Sequence, residues 1–295
     1  GEIAALGTSV CWTFTSIFFT ISGRRVGSVT VNRARLVLAV IFLSITHLLL
    51  LGRLWPVHAG LDRWFWLGLS GVAGLVLGDA FLFQALVLIG PRRAMLLMSL
   101  VPIISTMIAW IFLGETLSAV EMVAVGLTVG GIAWVVSERG NINGVQADPR
   151  QYALGVLAGM GGAVGQALGL VLSKKGMAGD FAPLSANLIR MLVAVTVMWS
   201  YTLLRGKGGP TLRALADRQA STAILGGAIA GPFIGVWLSL VAVKLARVGI
   251  ASTLMALPPV FVLLPSIWIF KERISLQTLA GTAIAFGGVA MIFLI

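Results

Sequence analysis

Leu113-Gly114-Glu115-Thr116-Leu117-Ser118 returns 157 positions later (272 − 115) as Phe270-Lys271-Glu272-Arg273-Ile274-Ser275. Each stretch is a short polar turn between two long apolar segments. The same shift relates further residues on either side of the two turns, namely Pro102 to Pro259 and Gly130-Gly131 to Gly287-Gly288. The chain is therefore predicted to contain two copies of one folding unit.

The correspondence between the halves extends upstream with a slightly smaller shift. Asn32 and Arg35 correspond to Asn187 and Arg190, 155 positions later (190 − 35). Both pairs lie near the start of an apolar segment. Each half therefore repeats several segments and not just one turn.

The composition is that of a protein embedded in lipid. Hydrophobic residues make up 58% of the chain and charged residues 11%, and the mean hydropathy is +1.01, whereas soluble proteins carry about 25% charged residues. A helix of roughly 20 apolar residues crosses a bilayer. Ten such segments are predicted, at 2–22, 31–52, 64–89, 93–113, 118–137, 152–173, 184–204, 219–243, 249–270 and 275–295.

These segments predict an all-α membrane protein with ten transmembrane helices arranged as two inverted five-helix repeats. Five is an odd number of spans, so the second half must lie upside down relative to the first. Inverted repeats are typical of secondary transporters. We expect the first repeat at 1–138, a linker at 139–151, which is the longest polar stretch, and the second repeat at 152–295.

Other classes of protein are disfavoured by the side chains that the chain contains. One cysteine, Cys11, and two histidines, His47 and His58, are too few for a metal site, and we expect neither a metal nor a cofactor. The apolar segments do not supply the nucleophile–base pair or the clustered carboxylates that an enzyme needs. The net charge of +11 comes from Lys and Arg residues spread over helix ends, where we expect them to contact membrane lipids and not nucleic acid. A preference for anionic substrates is the weaker alternative.

The residues also resemble a known family. Trp12 in the first segment, Arg35 and Arg190, the paired glutamate turns and the glycine pairs are similar to those of the drug/metabolite transporter superfamily, in particular its ten-span EamA-type exporters. The chain departs from the family pattern where Gln166 replaces a second tryptophan and Lys271 replaces glycine. The resemblance implies an exporter in the plasma membrane, the inner membrane of a bacterium, working by alternating access around a central cavity.

Two lines of reasoning about orientation disagree. An even number of spans places both termini on the same side of the membrane. Lys and Arg are more frequent in the turns after odd-numbered spans, which by the positive-inside rule would be cytoplasmic and would put the termini outside. The family resemblance implies cytoplasmic termini, and we follow it.

Asp79 is the acidic residue that the span assignments place well inside a helix. An ionisable group at membrane depth costs about 3 kcal/mol to insert and is usually functional. Asp79 is therefore a candidate for substrate binding and for coupling transport to protons. The alternative is a structural carboxylate that pairs with a basic residue or caps a helix. Val236 occupies the equivalent position in the second half, so proton coupling through Asp79 would belong to one half only.

Further candidates are polar or aromatic side chains at membrane depth. The predicted substrate-binding residues are Trp12, Thr15, Ser16, Asp79, Gln84, Ser99, Gln166, Trp237, Ser239 and Ser252. Arg35 and Arg190 could bind lipid phosphate, fix helix starts or recognise a substrate carboxylate. Glu115 and Glu272 are expected to cap the helices that follow them.

Glycines and prolines predict where helices touch and bend. Gly161, Gly165 and Gly169, and likewise Gly227, Gly231 and Gly235, recur every four residues and are expected to form close helix contacts. Prolines inside spans break the hydrogen-bonding pattern of a helix. The predicted hinges are Pro102, Pro232, Pro258 and Pro259.

The function expected from the sequence is secondary active export of a small-molecule substrate, with amino acids or related amphipathic metabolites as the leading class and protons as a candidate coupling ion. A multidrug exporter or a flippase of lipid-linked substrates is the alternative within transport. A membrane scaffold or sensor is the alternative outside it. The sequence leaves the oligomeric state open.

Overall fold

The computed structural model describes residues 1–89, 94–95, 97–137, 149–261 and 276–294. All regular secondary structure in these ranges is helical. The helices of the first half are α1 (Glu2–Val26), α2 (Ser28–Leu51), α3 (Leu61–Leu88), α4 (Val101–Leu113) and α5 (Ala119–Ser137). Those of the second half are α6 (Pro149–Gly176), α7 (Pro183–Leu204), α8 (Arg218–Leu245), α9 (Val248–Met255) and α10 (Leu276–Leu294). A short helix at Gly208–Ala214 precedes α8, and one turn at Pro258–Phe261 follows α9.

Helices α1, α2, α3, α6, α7 and α8 are each long and apolar enough to cross a membrane. Three shorter apolar helices lie within α4, α5 and α10. The protein is thus a multi-pass membrane protein. The predicted ninth span, 249–270, and the turn with Lys271 and Glu272 extend outside the described residues, and the count of ten spans stays a prediction.

The local sequence explains several helix ends. α4 ends at Gly114, whose φ of 66° is left-handed and suits a residue without Cβ. Ser118 and Glu121 then start α5 as a capping box, since each side chain bonds the backbone N–H of the other, over 3.3 and 2.8 Å. Asp217 caps α8; the Ala220 amide and the Arg25 guanidinium hold the pKa of its carboxyl below the usual range.

Glu115 also caps a helix, but the expectation that it caps the helix following it was wrong. Its Oε2 accepts a hydrogen bond of 2.8 Å from the backbone N–H of Val248, at the start of α9 in the other half. The carboxylate thus joins the two halves, because the turn that carries it lies against that helix start.

The two halves repeat an unusual backbone feature at equivalent positions. α3 contains a π-helical segment at Val72–Gly78, and α8 contains one at Ile229–Gly235, shifted by 157 residues (229 − 72). Such segments are rare and often occur at functional sites. Asp79 and Val236, the pair that distinguishes the halves, are the first α-helical residues after them.

Contacts between the halves come in matching pairs. α1 packs against α8 as α6 packs against α3, and α4 packs against α6 as α9 packs against α1. α2, α4 and α5 pack against their own counterparts α7, α9 and α10. This pattern indicates that a two-fold axis relates the halves.

The α5–α10 contact shows the two-fold relation in detail. A Cβ added to Gly131 would lie 2.6 Å from the Gly281 carbonyl oxygen, and one added to Gly288 would lie 2.7 Å from the Ala124 carbonyl oxygen. Gly281 and Ala124 are themselves related by 157 residues (281 − 124). Both backbones approach closely because the repeated glycines have no side chain.

The predicted glycine contacts on α6 and α8 are confirmed. A Cβ on Gly165 would lie 2.6 Å from the Gly78 Cα, and one on Gly169 would lie 3.0 Å from the Gly74 Cα. On α8, Gly231 and Gly235 instead face the side chains of Thr15 and Trp12. α6 therefore crosses α3 backbone to backbone, whereas α1 places side chains against α8.

Candidate functional site

A cavity of about 110 Å³ lies between the two halves. It is bounded by α1 to α4 of the first half and by α6, α8 and α9 of the second. Aromatic and methionine side chains form much of its wall, and Arg35, Asp79 and Gln166 provide charged or strongly polar groups. A pocket with an apolar wall and a few polar groups is typical of a small-molecule site.

Asp79 forms an ion pair with Arg35 in this wall. The Arg35 Nη2 donates to Asp79 Oδ2, and the two residues are 3% and 6% exposed. Arg35 also donates to the Leu75 carbonyl oxygen over 3.3 Å and lies 5.0 Å from the ring centre of Phe83. The alternative in which Asp79 pairs with a basic residue is thus realised, and both members of the pair line the cavity.

The second oxygen of the Asp79 carboxylate is bound by Gln166. The Gln166 Nε2 donates to Asp79 Oδ1 over 2.5 Å and lies 3.4 Å from the Gly74 carbonyl oxygen. Gln166 reaches Asp79 because the glycines on α3 and α6 bring these helices together. The Asp79 carboxylate therefore accepts hydrogen bonds from both halves, from Arg35 of the first and from Gln166 of the second.

Arg190, the counterpart of Arg35, is 2% exposed and lies beside the π-helical segment that precedes Asp79. Its Nη2 lies in the space left by Gly74 and Gly169, at about the distance of van der Waals contact from where their Cβ atoms would be. Its Nε and Nη1 have no hydrogen-bond partner among the described residues. The cluster of Arg35, Asp79 and Arg190 therefore carries two guanidiniums and one carboxylate.

The repeated asparagines, Asn32 and Asn187, donate hydrogen bonds to backbone carbonyls of the π-helical segments. Asn32 donates its side-chain amide to the Leu75 carbonyl oxygen over 3.4 Å, and Asn187 donates to that of Pro232 over 3.1 Å. Leu75 and Pro232 are equivalent positions (232 − 75 = 157). π-helical winding leaves backbone carbonyls in need of donors, and in lipid such groups must be satisfied by protein.

Six of the predicted substrate-binding residues line the cavity: Trp12, Thr15, Ser16, Asp79, Gln166 and Ser252. Gln84, Ser99, Trp237 and Ser239 do not. Gln84 accepts a hydrogen bond from Ser28, Ser239 bonds the Val236 carbonyl oxygen, and Trp237 stacks on Phe233. Ser99 is buried.

The predicted hinge prolines lie at breaks in the helices. Pro102 is at the start of α4, after a turn at Ser99–Leu100, and Pro258 follows the equivalent break at Ala256–Leu257. Pro232 lies inside the π-helical segment of α8, and both it and Pro258 line the cavity. Pro259 is the second residue of the turn Pro258–Phe261. Their role as hinges stays a prediction.

Sequence reasoning missed the apolar part of the wall. Phe19, Phe83, Met95 and Met98 line the cavity beside the ion pair, and Phe19 meets Phe83 edge to face at 5.2 Å. Each lies in or beside an apolar segment and is indistinguishable there from a lipid-facing residue. Phe19 could have been predicted, because its spacing from Trp12 and Ser16 places it on the same face of α1.

Charged residues gather at the end of the bundle where α1, α5 and α9 begin. Lys174 pairs with Glu115 at 2.5 Å and donates to the Ala246 carbonyl oxygen at 2.7 Å, while Arg247 pairs with Glu121. We call Glu115, Glu121, Lys174, Lys244 and Arg247 the ionic cluster. Glu121, Lys174, Lys244 and Arg247 line a cleft at this end, and Glu2 at the start of α1 lines it too. The first cavity residue of α1, Trp12, lies ten residues further along the helix (12 − 2), which is about 15 Å at the rise of an α-helix. The ionic cluster joins the two halves at one end of the cavity.

Comparison with known proteins agrees with this architecture. A solved structure described as "Crystal structure of protein" shares 18% sequence identity, with a TM-score of 0.78 over 99% of this chain and 96% of that one, which shows a common fold. No curated protein sequence matches. The model of the EamA-like transporter family matches residues 1–137 and again 153–294. Because those two matches cover nearly the whole sequence, the chain belongs to the EamA-like transporter family.

Proposed function

We propose that the protein is a secondary active transporter that exports small amphipathic metabolites, amino acids among them. The observation that carries this proposal is the cavity between the halves, which has a mainly apolar wall and is also lined by the buried Arg35–Asp79 pair. The apolar wall suits the body of an amphipathic solute, and the polar groups suit its charged end. Family membership supports transport over a scaffold or a sensor.

Transport would proceed by alternating access. In this proposal the two halves are inverted repeats of five spans each, divided at 139–151, and they exchange conformations to open the cavity to either side. In this proposal the ionic cluster also closes one end of the cavity in the present conformation. We place that end, where α1 begins, on the cytoplasmic side of a bacterial inner membrane, with protons as coupling ion through Asp79.

The test is counterflow in liposomes. Protein reconstituted with unlabelled amino acids inside should accumulate labelled amino acid from outside, with saturation. Leu82→Trp should abolish counterflow because Leu82 lines the cavity and a larger ring would fill it. Leu77→Trp is the matched control on the same helix, since Leu77 is 52% exposed on the outer surface.

Equal counterflow in the two variants would contradict transport through this cavity. Failure of the wild-type protein to accumulate amino acids, monocarboxylates, nucleobases, sugars or cationic drugs would remove the proposed transport function altogether and favour a scaffold or sensor. Accumulation of cationic drugs alone would favour the multidrug alternative.

A further inference from the structure

Among the residues that the structure describes, the charges beside the cavity do not balance. Arg35, Asp79 and Arg190 are each at least nine-tenths buried. Arg35 bonds Asp79 and Leu75, and the Arg190 Nη2 lies beside Gly74, so two positive charges and one negative charge surround the π-helical segment of α3. Arg33 is also buried, but it does not line the cavity; its Nη1 donates to Thr211, and its Nε has no partner among the described residues. An unbalanced buried charge is costly, so the binding of one more negative charge to this cluster would be electrostatically favourable.

Arg190 is the guanidinium of this cluster that has no bonded carboxylate among the described residues. Its Nε and Nη1 have no hydrogen-bond partner among the described residues, although guanidinium groups in protein interiors are normally bonded to carboxylates or carbonyl oxygens. The repeat explains the deficit. Arg35 pairs with Asp79, but the residue equivalent to Asp79 in the half that carries Arg190 is Val236. One carboxylate therefore lies among two guanidiniums, and the one that it is bonded to is that of Arg35.

We propose, building on the transport function above, that the transported molecule carries one carboxylate, that this carboxylate takes Asp79's place on Arg35, and that Asp79 then pairs with Arg190. In the protein without substrate, the Asp79 carboxylate occupies the position on Arg35 that the substrate carboxylate would take. In the loaded protein each guanidinium has its own carboxylate, and the cluster is neutral. Asp79 is ionised in both of these states, so a coupling proton is bound to it only in between, after it has left one guanidinium and before it reaches the other.

The surroundings of Arg35 define the rest of the ligand. Arg35 lies 5.9 Å from the Phe19 ring and 5.0 Å from the Phe83 ring, and both rings line the cavity together with Trp12. A planar guanidinium binds a carboxylate with two parallel hydrogen bonds. The fitting class is a monocarboxylate with an apolar body. A phosphate dianion would leave the loaded cluster with excess negative charge.

Binding can be measured without transport, by isothermal titration calorimetry of the purified protein in a neutral detergent. The probes are isovalerate, phenylacetate and indole-3-acetate, each with its neutral amide, and phenethylamine and inorganic phosphate. We expect at least one carboxylate to bind about tenfold or more tightly than its amide, as for a ligand that pairs with a buried charge, and the amine and phosphate to bind no better than the amides. Equal affinity of acid and amide, or no binding of any carboxylate, would overturn the proposal.

Variants of the cluster test whether these residues pair with the ligand and with each other as proposed, or only support the structure. Asp79→Asn should tighten carboxylate binding about tenfold because the internal competitor is gone, and Arg35→Gln should abolish it. Arg190→Gln should weaken binding by a similar factor because displaced Asp79 loses its second partner. Arg33→Gln is the matched control, a buried guanidinium outside the cavity, and should leave affinity unchanged.

The decisive measurement is the double variant Asp79→Asn/Arg190→Gln. If Arg190 acts by receiving Asp79, its substitution should have no effect once Asp79 is neutral, so the double variant should bind like Asp79→Asn. A merely structural Arg190 would weaken binding equally in both backgrounds, and that result would refute the exchange.

Failure here and failure of transport give different results. Counterflow of amines without carboxylate preference would refute the anion site and leave transport standing. The predicted binding pattern without flux in liposomes would support the anion site and refute transport.

Discussion

Gln166 donates its side-chain amide to the carboxylate of Asp79 over 2.5 Å, so that the two residues by which the halves differ most at this site are bonded to each other. In the second copy of the arrangement, Val236 stands for Asp79 and Trp12 for Gln166. Both of these line the same cavity, with Trp12 against Gly235. The two substitutions are thus matched: a polar pair in one arrangement corresponds to an apolar pair in the other.

Replacing Gln166 tests how far Asp79 depends on this bond. Gln166→Leu should lower the free energy of unfolding by about 1–3 kcal/mol, because one oxygen of a buried carboxylate loses its donor. Gln84→Leu is the control, since the side chain of Gln84 is bonded to the Ser28 hydroxyl and not to a charged group among the described residues, and it should cost less. Thermal unfolding of both variants in the same detergent measures the difference; equal losses would mean that the Gln166 bond adds nothing specific.

Neutralising Asp79 tests proton coupling. Asp79→Asn keeps the shape of the side chain and can still meet Gln166, but it cannot carry a proton in exchange for substrate. We expect transport driven by a pH gradient to disappear while counterflow, which needs no coupling ion, continues. Gradient-driven uptake at the wild-type rate in Asp79→Asn liposomes would rule out this role.

Asp79 could be found in the sequence because a carboxylate inside an apolar span must face protein or a wet cavity. Its partner could not. Arg35 and Arg190 are equivalent in sequence, and which of them pairs with Asp79 is decided by a contact across 44 residues. The π-helical segments were also missed, since glycine and aliphatic residues in Val72–Gly78 suit an α-helix equally well. Spans, repeats and glycine contacts follow from local pattern, whereas the site depends on packing between helices.

The α5–α10 contact predicts a difference between neighbouring glycines. Gly131→Ala and Gly288→Ala should destabilise the protein because each new Cβ would lie under 3 Å from backbone atoms of the opposite helix. Gly130→Ala and Gly287→Ala should be neutral or slightly stabilising, because nothing lies within 4 Å of their Cβ positions. Melting temperatures of the four variants check this, and a uniform response within each pair of neighbours would contradict the two-fold packing described above.

The ionic cluster predicts which end of the cavity is closed. Lys174→Gln removes the ion pair with Glu115 that ties the end of α6 to the turn before α5. In a Cys11→Ala background, a cysteine introduced at the cavity residue Ser252 should then react faster with a membrane-impermeant maleimide added on the side of the ionic cluster. Lys175→Gln is the neighbouring control, since the Lys175 ammonium lies 3.9 Å from the Trp66 ring centre and outside the cluster. Unchanged labelling in Lys174→Gln would show that these ion pairs do not hold the end closed.

Pro232 offers the sharpest test of the hinge prediction because its counterpart is not a proline. Leu75 occupies the equivalent position in an equally π-helical segment, so the backbone geometry does not require a proline. Pro232→Leu should therefore fold with near wild-type stability and keep the hydrogen bond from Asn187 to the backbone carbonyl of residue 232. If the missing N–H of Pro232 lowers the barrier to bending, turnover should slow in the variant while substrate affinity stays the same. Counterflow rates and calorimetric affinities separate the two quantities, and a loss of affinity with unchanged turnover would assign Pro232 to the cavity wall and not to a hinge.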